Sequence, residues 1–211
     1  MAEPKTQAKA IEHLFPWLLH WTINDERIGD FRSDAFAVQT ADGTILIDPL
    51  PLNGSAQAEL ENVCAIFLTH GNHQRSSWRY RRELGAPVYV PAGVSGLDEE
   101  PDHYYGEGDQ LPGGLQAIAA TCFEGAACYL LFTHPDGQTA LFCGDLICQD
   151  VGGPYRFPVE PSYFTRGPGE ADARRLVETG ATILCTAHAV PSIDGANEAL
   201  EGAIKRPDDK Y

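Results

Sequence analysis

The chain has 211 residues, 43% hydrophobic and 21% charged, which suits one soluble domain able to bury a core without staples. Thirty acidic residues against fifteen basic ones give a formal net charge of −15. Such a surface repels phosphate backbones and argues against nucleic acid as a partner.

Six cysteines (64, 122, 128, 143, 148, 185) form no C-x-x-C pair, and several lie in apolar runs where a free thiol behaves as a small hydrophobe. That usage points to a reducing compartment. The N-terminus lacks the apolar core of a signal peptide, and no run of 18 apolar residues exists, so the expectation is a cytoplasmic protein with no membrane partner.

In chain order, residues 1–12 read as a polar, mobile lead-in. His13 to Trp21 is strongly apolar and interrupted by Pro16, an early strand or a cover over the rim of a site. His13 and His20 have no ligand-like neighbour in sequence and read as packing or surface histidines. Ala35 to Asp48 is a hairpin pattern, two β-prone runs around Asp42-Gly43. Gln57 to Asn62 reads as a short helix.

Val63 to Leu68 is an uncharged apolar run, the pattern of a buried strand. It ends in Thr69-His70-Gly71-Asn72-His73, and an Arg-rich helical pattern, Gln74 to Leu84, follows. Two imidazoles three residues apart at a strand-to-helix turn suit a metal site. The strand is rigid, the loop opens at its carboxyl end, and neutral imidazole is a good ligand for zinc or iron. The bland alternative is two surface histidines on a loop. Four arginines between 75 and 82 make a solvated helix face. The sharper reading makes Arg75, near the helix N-terminus, a lip for an anion or substrate.

Val88 to Val90 is the next strand, and 92–106 reads as an irregular excursion rich in Pro, Gly and acidic residues. Leu115 to Ala120 is a strand leading into Thr121 to Ala126. Tyr129 to Thr133 and Ala140 to Cys143 form a hairpin that ends in Cys143-Gly144-Asp145, where a carboxylate at a strand end is a good hard ligand. Gly152 to Gly169, rich in Pro, Gly and aromatics, reads as a substrate-facing wall or a homodimer contact. Glu170 to Thr179 has helical spacing, and the strand Thr182 to Cys185 leads to Thr186-Ala187-His188. Ile193, Ala196, Leu200 and Ile204 mark a C-terminal amphipathic helix before a tail at 206–211. With no internal repeat, low-complexity segment or linker, residues 1–211 read as a single domain.

The segment IFLTHGNH resembles the second motif of the metallo-β-lactamase fold, T-H-x-H-x-D-H after an apolar strand. Two registers fit. Anchoring on Thr69-His70 puts Asn72, Gln74 and Arg75 where His, Asp and His are expected. Anchoring on the motif's end reads His70 to His73 as H-x-D-H with Asn72 in the Asp position, and leaves the eleven residues Gln74 to Leu84 for the following helix. The second register is preferred on that helix length. Four further stretches resemble family motifs in the right order: Asp48 after the hairpin, Thr121-Cys122, Cys143-Gly144-Asp145, and Thr186-Ala187-His188. The resemblance spans roughly residues 35–205.

That resemblance implies an α/β fold, a four-layer αββα sandwich of two mixed β-sheets, with the site where strand ends converge at one edge. It implies metal ligation by His73, Asp145 and His188 with His70 at or near them, Cys122 standing where the family has a ligand histidine, and Asp48 and Asn72 behind the ligands. The full set for two metals is missing, so the expectation is at most one divalent ion, zinc before iron or manganese, or none if the site is dead. The implied function is a metallo-hydrolase acting on a small ester, thioester or lactone, a neutral or cationic one being favoured by the acidic surface. The alternative is a non-catalytic relative that binds a ligand or partner in the old cleft.

Overall fold

The computed structural model describes residues 3–150, 152–159 and 162–206. Seven strands cross the first sheet in chain order: β1 (Glu12–Phe15), β2 (Leu18–Asp25), β3 (Phe31–Thr40), β4 (Gly43–Ile47), β5 (Val63–Phe67), β6 (Val88–Pro91) and β7 (His103–Tyr105). β1 to β4 pair antiparallel and β4 to β7 parallel. β8 (Gln116–Ala119), β9 (Cys128–Thr133), β10 (Thr139–Phe142) and β13 (Ile183–Cys185) build a second sheet in the order β13-β10-β9-β8, with β10 and β13 parallel. β11 (Cys148–Gln149) and β12 (Tyr155–Arg156) make a small ribbon. The helices are α1 (Gly54–Gln57), α2 (Ser77–Leu84), α3 (Arg166–Val177) and α4 (Ala196–Lys205).

Side-chain alternation sorts the apolar residues into layers, because successive strand residues face opposite sides. Phe36, Val38, Ile45, Ile47, Ala65 and Phe67 of the first sheet meet Leu130, Phe132, Ala140, Phe142, Ile183 and Cys185 of the second in the central core. Their alternates Ala35, Ala37, Leu46, Ile66 and Leu68 pack outward on Ala56 of α1 and Trp78 and Tyr80 of α2. Leu141 and Leu184 pack outward on Ala173 and Leu176 of α3 and Leu200 and Ala203 of α4. The result is the αββα sandwich of two mixed sheets.

Several local expectations are corrected. Residues 3–11 are docked rather than loose: Ala8 donates to the Pro51 carbonyl (2.8 Å), accepts from Asn53, and is buried with Ile11. Residues 1–2 and 207–211 lie outside the described residues. The helix expected at 57–62 is the turn Gly54–Gln57, because Asn53 caps it by accepting from Ala56 N, and the chain bends at Asn62 with φ 48°. His13–Trp21 is a β1–β2 hairpin turning at Pro16-Trp17. A short strand, β7, lies inside 92–106, fastened where Val88 N donates to the Asp102 carboxylate. Ile193 precedes α4 and is exposed.

α2 begins at Ser77, not Gln74, because the backbone at Arg75 has φ 38° and breaks the helical run. Its arginines 79, 81 and 82 face outward onto Glu3, Asp102 and Glu99, the solvated face the sequence suggests. At the opposite end of the first sheet's parallel strands the two sheets are stitched together. Asp34 N donates to the Ala187 carbonyl (2.8 Å), and Cys128 N donates to that of Thr69 (2.9 Å). No helix among the described residues is long and apolar enough to cross a membrane.

Candidate metal centre

The chain leaves β5 through Thr69 and His70 into a single 3₁₀ turn, Gly71–His73. His70 caps that turn, its Nδ1 accepting from Asn72 N (3.2 Å). The turn carries the His73 ring inward, leaving it 3% exposed. Asp48, just past β4 with φ 48°, accepts from Thr69 N (2.8 Å) and the Thr69 hydroxyl (2.5 Å), and faces His73 Nδ1 at 2.8 Å. One carboxylate thus ties the ends of two parallel strands and takes the Nδ1–H of His73, turning Nε2 toward Asp145 Oδ1, 3.0 Å away.

Asp145 follows β10 across Gly144, whose φ is +52°. A Cβ there would lie 2.8 Å from Thr69 Oγ1, so the turn requires glycine. His188 follows β13. Its Nδ1 lies 2.6 Å from the Arg32 carbonyl, which can only accept, so Nδ1 carries a proton and Nε2 faces Asp145 Oδ1 at 3.3 Å. Asp34 steadies that carbonyl by accepting from Arg32 Nη2 (2.7 Å) and Nε, and from His20 Nε2 (2.8 Å).

His73, Asp145 and His188 therefore offer donor atoms that all lie within 4.8 Å of one another. Both imidazoles have committed Nδ1 to an acceptor and aim Nε2 at the same carboxylate. Three acceptor atoms converging where His73 is buried and Asp145 and His188 are half-buried need positive charge between them. Without a metal, a proton on His73 supplies it: burial pushes its pKa down, but Asp145 and Asp48 outweigh burial and raise it to about 9. Burial raises Asp145 as well, yet the His73 charge and the His188 hydrogen bond hold it well below the usual carboxylate range. A divalent ion satisfies the same three atoms, and a carboxylate or carbonyl behind each histidine is how metal-binding imidazoles are oriented. The donor set fits one such ion.

A pH effect follows for metal-free protein. The raised His73 pKa contributes stability that is complete below the unfolded value of 6.5 and is lost as pH rises through about 9. With a chelator present, the melting temperature is expected to fall between pH 6.5 and 9, and added zinc should abolish that fall by taking the Nε2 position. A chelator-treated melting temperature flat across this window would contradict the assignment.

The remaining candidates are not brought into the cluster. His70, expected at or near the ligands, lies near them, its ring 6.3 Å from that of His73, but its Nδ1 is engaged in the turn, its ring packs 5.6 Å from that of Phe123, and it stands outside the three-donor group. Cys122 is turned into the outer core of the second sheet, its Sγ 3.3 Å from Tyr129 Oη. It stands outside the three-donor group, and burial pushes its thiol up to about 12. Asn72 is exposed and lines the cleft over the cluster rather than standing behind the ligands. Arg75 is not on a lip: it is 4% exposed, and its Nη1 donates to the carbonyls of Asp34 (2.7 Å) and Asp48 (3.0 Å). Asp48 and Arg75 both hold left-handed backbone beside the cluster, a placement of strain common at functional sites.

Sequence reading missed the β2–β3 connection. Asp25, Arg27, Ile28, Phe31 and Ser33 line a cleft of about 290 Å³ at the cluster, together with Pro158 and Tyr163. The signal was present: the charged residues 25–27, 32 and 34 crowd a hairpin whose flanking strands are otherwise apolar.

No family profile matches the sequence, and no curated protein matches it either. Solved structures do match the fold. The metallo-β-lactamase from Pontibacter korlensis superposes with a TM-score of 0.71 at 15% identity, covering 95% of this chain and 100% of that one. The metallo-β-lactamase from Hirschia baltica gives 0.71 at 14% identity, with 96% and 100% covered. FIM-1 from Pseudomonas aeruginosa, in its mono-zinc form, gives 0.68 at 14% identity, with 97% and 100% covered.

Proposed function

We propose that this chain, a protein of the metallo-β-lactamase fold, binds one divalent metal ion between His73, Asp145 and His188 and hydrolyses a small ester, thioester or lactone in the cleft above it. The observation that carries this reading is the pair of Nε2 atoms aimed at one carboxylate, each with its Nδ1 anchored. Two imidazoles and a carboxylate suit zinc with a fourth position open, and iron or manganese accept the same donors. An ion so held supplies Lewis-acid polarisation of a carbonyl and an activated water at neutral pH.

The chain's own residues orient and enclose. Asp48 and the Arg32 carbonyl fix the two rings, and Ile28, Phe31 and Pro158 give the cleft apolar walls that limit water. Its volume of about 290 Å³ suits a small molecule, and the net charge of −15 disfavours nucleic acid. A second reading, a non-catalytic protein that binds a ligand in the cleft, is favoured by His70, whose Nδ1 caps a turn and leaves the described residues with ligands for one ion only.

Hydrolysis of 4-nitrophenyl acetate, a phenyl thioacetate and a γ-lactone separates the two. The hydrolase reading expects turnover that a chelator removes, zinc restores, and Asp145→Ala reduces to background. Zinc-loaded protein with no turnover on any of the three would leave the binding reading.

A further inference from the structure

Residues 3–8 join three separate parts of the molecule. Glu3 accepts from Arg79 Nε of α2 (2.8 Å). Ala8 donates to the Pro51 carbonyl (2.8 Å) and accepts from Asn53 N (2.9 Å). Both of these anchors are braced. Tyr80 Oη of α2 donates to the Leu50 carbonyl (3.1 Å) and accepts from Leu52 N (2.9 Å), and Trp21 Nε1 donates to the same Leu50 carbonyl (2.9 Å). Between the anchors, Lys5 N and Thr6 N donate to the two carboxylate oxygens of Glu26, at 2.6 and 3.4 Å. The Lys5 contact is short and charge-assisted, and it comes first among the bonds that hold the Glu26 carboxyl below its ordinary pKa.

Glu26 opens the 3₁₀ turn Glu26–Ile28, whose Arg27 and Ile28 line the cleft at His73, Asp145 and His188. Phe31, at the far end of the connection, lines it too and puts its ring 5.8 Å from that of His188. Within the connection Asp25 fixes the turn, its side chain accepting from Arg27 N (3.0 Å) and its carbonyl from Asp30 N (2.9 Å). Those bonds set the turn's shape but not its tilt across the cleft. The turn rejoins β3 through two successive left-handed residues, Gly29 at φ 73° and Asp30 at φ 60°, which is where so short a connection pivots. Ile28 is 43% exposed, so its own burial does little to hold the turn in place. We infer that residues 3–8 form a strap, and that Glu26, gripped by it, is a positioning residue that sets how far Arg27 and Ile28 stand from His73, Asp145 and His188. The strap is a property of the fold; its effect on substrate binding rests on the hydrolase reading above.

The test is amide hydrogen exchange on protein dialysed against zinc, read over residues 26–31 and, as a control, over 63–73. The chains compared are wild type, Glu26→Ala, Glu26→Gln and one lacking residues 2–6. Glu26→Ala should speed exchange over 26–31 by about 3- to 10-fold, the loss of one exposed charge-assisted contact, with 63–73 and zinc content unchanged. Glu26→Gln, which keeps an oxygen for the Lys5 N–H, should give a smaller rise. The deletion should match Glu26→Ala, and the two changes together should do no more than either alone, because both remove the same contact. In an active enzyme the KM for 4-nitrophenyl acetate should rise by a similar factor at unchanged kcat. Unchanged exchange in Glu26→Ala, a rise spread equally over 63–73, or effects of the two changes that add would overturn the strap. An unchanged KM in an active Glu26→Ala enzyme would overturn the positioning role. Glu26→Ala decides alone if the deletion does not fold. A localised exchange effect without turnover on any ester would leave the strap standing and remove the hydrolase. Turnover with no exchange effect would do the reverse.

Discussion

Asp48→Asn is expected to lower metal affinity by about 10- to 100-fold while leaving the fold in place. The wild-type carboxylate accepts from Thr69 N, from the Thr69 hydroxyl and from His73 Nδ1. An amide keeps one acceptor for Thr69 N but presents N–H groups to the others. His73 must then accept at Nδ1 and carry its proton on Nε2, where the metal needs a lone pair. Backbone strain does not confuse the result, because asparagine tolerates the left-handed conformation Asp48 holds at φ 48°. Asp48→Ala removes all three bonds and strands buried donors on Thr69 and His73, so about 3–5 kcal/mol of stability should go with the metal. Zinc titration with a competing chelator reads the first effect and denaturant unfolding the second. An Asp48→Asn protein with wild-type affinity would show that Asp48 braces the strands without setting the His73 tautomer.

Asp34→Ala should cost about 3 kcal/mol and also weaken the metal site, although Asp34 is not one of the three ligands. Its carboxylate is fully buried and serves His20 and Arg32 together. Arg32 in turn offers the carbonyl that orients His188, and the Asp34 carbonyl holds Arg75. Removing the carboxylate leaves His20 facing only the exposed Glu12, frees Arg32, and lets the Arg32 carbonyl drift from His188 Nδ1. Denaturant unfolding and zinc titration on this variant should move together. A large stability loss with unchanged zinc affinity would mean that the Arg32 carbonyl is placed by β2–β3 pairing alone.

The layers of the fold were legible because each buried strand alternates cleanly: Ile45 and Ile47 against Leu46, Phe142 against Leu141, Ile183 and Cys185 against Leu184. Asp145 and His188 could be picked out as candidates because each stands just past the end of such a strand, whereas His73 is reached from β5 only through a 3₁₀ turn, which is why His70 and His73 competed for the same role in the sequence. Cys122 misled, since a thiol at a strand end looks the same in sequence whether it faces a metal or Tyr129. Arg75 was placed on a helix lip by its position after His73. A single positive φ instead turns it beneath the site, onto carbonyls from β3 and the end of β4, and no local pattern announces that. The β2–β3 wall was missed for a related reason: its contribution depends on Ala187 bonding across to Asp34, a contact between distant parts of the chain.

The central claim is a single ion held by His73, Asp145 and His188, and metal stoichiometry tests it most directly. After dialysis against zinc and then against metal-free buffer, elemental analysis should find one equivalent per chain in the wild type. Asp145→Ala and His188→Ala should each retain essentially none. Two equivalents in the wild type, or one equivalent that survives both substitutions, would contradict the account.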